Sequence, residues 1–166
     1  MEMHKVIELV RSHAKSPLVG YQDWEIPKIE KLYDIKVDRE FKEFLLAMGR
    51  CSGGAIGGRS VILYRSHLFI RSYIGIQSVL WEELHRLQQF EIMKLNPFVF
   101  AIEAETHYLF LKTKEAGKQF VYEFDENSDQ IKKTRESLSD YMYRQASIGI
   151  KYEDYNTIES GDLLSI

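Results

Sequence analysis

Residues 38–58 read DREFKEFLLAMGRCSGGAIGG, and the layout of the whole chain turns on this stretch. Phe41, Phe44, Leu45 and Met48 fall at i, i+3, i+4 and i+7, one face of an α-helix. Asp38 stands where an N-cap carboxylate accepts from the free amides of the first turn. Gly49 is expected to stop the helix as a left-handed residue, a conformation that glycine adopts without penalty. Four more glycines follow closely: Gly53, Gly54, Gly57 and Gly58. Such a stretch can be a phosphate cradle, a recognition loop or a structural corner. Known phosphate loops follow a strand and lead into a helix, so that backbone amides and the helix dipole point at the anion. Here the helix comes first and no Lys-Ser/Thr pair follows the glycines, so the stretch reads as a corner.

Upstream of it, Met3, Val6, Ile7 and Val10 share one face of a surface helix over residues 2–14. Ser16-Pro17 ends that helix, because proline disfavours a helical residue before it. Trp24 precedes a short helix with Pro27 in its first turn and Ile26 and Ile29 facing inward. Downstream, residues 59–65 and 67–74 are rich in β-branched and aromatic types and are expected to be strands. Ser78 is expected to cap a helix to about residue 94, with Leu80, Leu84 and Leu87 at helical spacing and Asn96-Pro97 as its stop. The apolar run 98–102 suits a strand buried on both faces. It is expected to turn through 103–106 into a strand over 107–112. A turn at 114–118 leads to a strand over 120–124, where Phe120, Tyr122 and Phe124 alternate with Val121 and Glu123. Residues 125–130 make a polar, acidic loop, and Ser137 with Asp140 resembles a capping box for a last helix carrying Leu138, Tyr141 and Met142 inward. The tail from Gly149 onward is expected to be loosely held. Helices followed by a meander of strands favour an α+β fold with mostly antiparallel pairing.

The 166 residues suit one domain with a single core, and a hydrophobic content of 45% is enough to build it. A net charge of −3 argues against a broad surface for nucleic acid or anionic membrane, which needs clustered positive charge. A single cysteine, Cys51, excludes an intramolecular disulfide or CxxC site and fits a reducing cytoplasm. The opening MEMHKVIELVRSHAK carries charges throughout and lacks the apolar core of a signal peptide. No apolar run approaches the ~20 residues that span a bilayer. The expectation is a soluble cytoplasmic protein.

Chemistry-bearing residues are sparse. Cys51 could act as a nucleophile with His67 or His107 as base, but no nucleophile signature surrounds it, and the reading is a buried thiol. None of His4, His13, His67, His85 and His107 lies three to five residues from another, so no metal site is expected, and no cofactor. Carboxylates gather in two late turns, Glu103 with Glu105, and Asp125 with Glu126 and Asp129. They read as solvated hairpin ends, or as a rim that meets a basic partner. Tyr21, Trp24 and Tyr33 are core or lid packing if covered and binding hot spots if exposed.

The runs IPKIEKL (26–32) and VDREFKEFL (37–45), followed by Gly53 and Gly54, resemble the opening of the SUKH superfamily. That superfamily includes fungal cell-wall-assembly regulators and bacterial immunity proteins of polymorphic toxin systems. The buried run 98–102, the strand 120–124 before an acidic turn and the closing helix around 137–142 are similar as well. Val37-Asp38 stands where the family usually has Leu-Pro, and the glycine loop is longer and holds a cysteine. The resemblance implies one α+β domain over 1–166, its core at about 22–146, with about five mostly antiparallel strands flanked by helices. It gives Trp24, Glu30, Phe44, Leu45, Gly53 and Gly54 structural roles and carries over no catalytic residue. It further implies a protein-binding module, in bacteria an immunity protein that neutralises a cognate toxin such as a nuclease, or otherwise a regulatory scaffold. The charge of Glu103, Glu105, Asp125, Glu126 and Asp129 makes their turns the expected recognition surface.

Overall fold

A computed structural model describes residues 2–56 and 70–148. Three helices open the chain: α1 (Met3–His13), α2 (Ile26–Tyr33), entered through a 3-10 turn at Asp23–Glu25, and α3 (Arg39–Met48). The glycine-rich corner follows. Then come α4 (Ile70–Arg86), a single turn α5 (Phe90–Met93), the strands β1 (Pro97–Glu103), β2 (His107–Lys112), β3 (Val121–Asp125) and β4 (Gln130–Lys133), and α6 (Leu138–Ser147). The strands form an antiparallel meander in the order β1-β2-β3-β4. The architecture is α+β, with four strands among the described residues where about five were expected.

Periodicity explains the helices. In α3 the expected quartet Phe41, Phe44, Leu45 and Met48 is buried, and the Asp38 carboxylate accepts from the Phe41 amide at 2.8 Å. In α1, Met3, Val6 and Val10 are buried and Ile7 packs against the same core. Ser137 and Asp140 close the capping box of α6, whose Leu138, Tyr141 and Met142 are buried. Gly49 corrects one expectation, since its φ of −62° is right-handed. Glycine is needed there for closeness instead: a Cβ would stand 2.7 Å from the Leu45 carbonyl oxygen and 2.8 Å from the Tyr21 ring.

The sheet is covered on both faces. On one, Phe98, Phe100, Ala101, Leu109, Leu111 and Val121 pack against α1, α2, α3 and α6. On the other, Val99, Tyr108, Phe110, Tyr122 and Phe124 pack against Leu80 and Leu84 of α4. A β-bulge between Val99 and Ala101 resets the alternation of β1, so that Phe100 and Ala101 join the same core and Ile102 turns to the opposite one.

Two expectations change after the corner. Residues 70–74, read as the end of a strand, are the first turns of α4, and Ser78 lies inside that helix, its hydroxyl donating to the Ile74 carbonyl at 3.0 Å. The β-branched and aromatic composition misled because β-propensity is weak and context-dependent, and a helical setting overrides it. The helix also stops at Arg86, where Gln88 at φ 56° breaks it before α5. Strand β4 has no sequence signal, because QIKK has one apolar residue and no alternation. The strand expected at 59–65, the start of that expected at 67–74, Gly57, Gly58, His67 and the tail from 149 lie outside the described residues.

Each edge strand has its own protection. On β4 it is Lys132 and Lys133, a charged fringe that discourages further pairing. On β1 it is the Gln77 side chain: Nε2 donates to the Val99 carbonyl at 2.9 Å and Oε1 accepts from the Val99 amide at 2.8 Å. One amide group thus occupies both polar atoms that Val99 would offer a further strand.

Candidate interaction surface

The meander brings the β1–β2 and β3–β4 turns to the same end of the sheet, and hydrogen bonds join them. Glu126 donates its amide to the Thr106 carbonyl at 3.0 Å, and Asn127 donates its side-chain amide to the Thr106 hydroxyl at 2.9 Å. All five carboxylates singled out in the sequence therefore share one end of the molecule, but they are not equivalent. Glu103 points back to α6, accepting from the Tyr141 hydroxyl at 2.9 Å and the Gln145 amide at 2.7 Å. Asp125 folds its own turn, accepting from the Ser128 hydroxyl at 2.6 Å and the Asn127 amide at 2.9 Å. Those hydrogen bonds hold its carboxyl below the usual range. Asp129 is gripped by the Arg86 guanidinium, which lowers its pKa and raises that of the arginine. Glu105 and Glu126 are exposed; among the described residues Glu126 has only the Tyr108 hydroxyl at 3.5 Å as a side-chain partner, so these two point charges outward.

Beside the turns lies a polar cluster that sequence reading missed. His107 Nδ1 is 2.9 Å from Glu123 Oε1, Lys132 Nζ is 3.0 Å from Glu123 Oε2, and Asp125 lies 4.0 Å from the other ring nitrogen of His107. Burial opposes ionisation of Glu123, but the hydrogen bonds from His107 and Lys132 prevail and hold its carboxyl below the usual range. The strand register makes this cluster, with His107 opposite Asp125 and Glu123 opposite Lys132. No linear motif announces it. Arg86 was invisible for the same reason, as it reaches a turn far along the chain.

The residues assigned structural roles fall as follows. Phe44 and Leu45 are wholly buried. Glu30 accepts from the Val37 amide at 2.8 Å and fixes the link between α2 and α3. Gly53 and Gly54 have φ of 65° and 82°, and the corner is stitched to the segment after α1 by Lys15 donating to Gly53 and Val19 donating to Cys51. The corner amides are committed internally: Gly53 faces the Cys51 sulfur, Ala55 donates to the Ser52 carbonyl and Ile56 to the Ser52 hydroxyl. Cys51 itself is buried. Trp24 is 57% exposed, with the Lys28 ammonium 4.5 Å above its ring, whereas Tyr21 is buried and burial pushes its hydroxyl pKa up.

An antiparallel sheet sandwiched between helices, with a short helix, a capped helix and a glycine corner ahead of it, defines the α+β class to which this chain conforms. A family model described as SMI1-KNR4 cell-wall (SUKH_6) matches residues 23–142, and the chain belongs to this branch of the SUKH superfamily. No curated protein and no solved structure matches it significantly. Among the described residues no helix is long and apolar enough to cross a membrane.

Proposed function

We propose that the protein is a cytoplasmic immunity protein, which binds a cognate bacterial toxin domain and blocks its active site or substrate surface. Membership of the SUKH superfamily over residues 23–142 is the observation that carries this reading. It acts by contact and has no catalytic role. The acidic end of the sheet supports it: Glu105 and Glu126 project from two turns that Asp125, Asp129 and Arg86 hold in place, an arrangement suited to steering a basic partner such as a nuclease. The partner is a protein rather than nucleic acid or membrane, in keeping with the net charge of −3.

Co-expression with the toxin encoded beside its gene tests this. Rescue of growth together with co-purification of the toxin is the expected result; neither rescue nor a complex overturns it. The cell-wall description of the matching family favours a second reading, a regulatory scaffold. That reading predicts several weak partners in place of one tight one.

A further inference from the structure

A cavity of about 420 Å³ opens between α2 and α4, at the opposite end of β1 from the acidic turns. Leu32 of α2, Ile74, Gln77, Trp81 and Glu82 of α4, and Phe98 of β1 contribute to its wall. Three of these are large apolar side chains left open to solvent, with Leu32 37%, Ile74 45% and Trp81 36% exposed. Trp24, in the turn that enters α2, Lys28 and Leu32 follow one another at four-residue intervals, so a second exposed aromatic stands on the α2 side of the cavity with Lys28 between them. Both tryptophans of the chain are open to solvent, Trp81 in the cavity wall and Trp24 beyond Lys28 on the α2 side, and tryptophan is among the residue types richest in binding hot spots.

Two further observations say what fits. Gln77 already fills the amide and carbonyl of Val99, so an added strand cannot pair with β1 at that point beside the cavity, and an occupant there enters by its side chains. Glu82 is exposed on the wall and has no hydrogen bond or ion pair among the described residues, so the uncommitted charge beside the apolar floor is negative. We propose that this groove docks an amphipathic helix of a partner protein, with bulky aliphatic or aromatic side chains in the cavity and a lysine or arginine against Glu82. The proposal rests on the protein-binding reading above but assigns a surface distinct from the acidic turns.

The test uses the full chain carrying Trp24→Phe, which leaves Trp81 as its only tryptophan. It is titrated with a synthetic helical peptide bearing leucines one turn apart and lysines beside them, and with the same peptide carrying glutamates for lysines. A saturable blue shift of Trp81 emission with the lysine peptide, weakened about tenfold by Glu82→Lys, is expected, with the glutamate peptide now preferred by that variant. No saturable shift up to about 1 mM peptide, or a shift indifferent to both charge exchanges, overturns it. A concentration-dependent dimer abolished by Trp81→Ala assigns the groove to a second copy and overturns it too. The toxin assay separates the two readings: rescue that survives Trp81→Ala and Glu82→Lys in full removes the groove and leaves the immunity role, while peptide binding without rescue does the reverse.

Discussion

At Gly53, φ is 65° and a Cβ would lie 2.2 Å from the Ser16 carbonyl oxygen, so backbone shape and lack of space both demand glycine. Gly53→Ala is expected to cost about 2 kcal/mol or more in urea denaturation, beyond what the left-handed conformation alone would impose. The β1–β2 turn poses the opposite case. Ala104 and Glu105 are left-handed at φ 48° and 65°, in exposed positions where no glycine relieves them. Ala104→Gly is expected to stabilise the protein by up to about 1 kcal/mol, read as a higher urea midpoint at unchanged slope. If this turn instead weakens, the native conformation there is not the strained one described. The contrast shows where residue identity is dictated by geometry and where the fold overrides it.

Among the elements, β1 depends on a side chain outside the sheet. Gln77→Ala leaves the buried Val99 amide and carbonyl without their partners, which is expected to cost about 1–3 kcal/mol. It also frees the edge for pairing, so light scattering should rise with protein concentration. Stability without self-association in this variant would show that the edge has other cover. The turns at the far end respond to acid. Glu123, Asp125 and Asp129 are all held below their ordinary values of 4.5, 3.8 and 3.8. The unfolded chain then binds more protons than the native one as pH drops through this range. Their contribution is therefore complete above about pH 5 and is lost as pH falls through the lowered native values. Solvent screening keeps the share of exposed Asp129 and partly exposed Asp125 small. Hydrogen-exchange protection in the two turns, measured against the intrinsic rate at each pH, should fall between about pH 5 and pH 3 before the helices open.

The elements that sequence made legible are those that carry a period or a cap: α1, α3, α6, the doubly buried β1 and the alternating β3. Those it hid depend on distant partners. α4 shows helical spacing through Ile70, Tyr73, Ile74, Gln77, Leu80, Trp81 and Leu84, yet its β-branched opening outweighed that signal. β4 exists because Ile131 and Lys132 meet Phe124 and Glu123 across the ladder, not because QIKK demands a strand. The same division runs through the surface. Five carboxylates could be gathered into two turns from sequence, but only the structure separates outward Glu105 and Glu126 from Glu103, Asp125 and Asp129, which are engaged in holding the protein together.

For the whole molecule, charge placement predicts kinetics before affinity. If the acidic end meets a basic toxin, Glu105→Lys combined with Glu126→Lys should slow association about tenfold at low salt and leave dissociation nearly unchanged, since exposed charges act mainly on encounter. Surface plasmon resonance at two ionic strengths reads this; an effect confined to dissociation would mean that the two side chains are buried in the contact. The reach of that end also depends on the irregularity in β1. With regular pairing beyond Val99, Glu103 would emerge on the side of α4, out of step with Tyr141 and Gln145. One surplus residue shifts the phase of everything after it and delivers that carboxylate to α6. The last helix is thereby tethered to the tip of the first hairpin, and a push on the outermost loop has a direct path to the opposite layer of the protein.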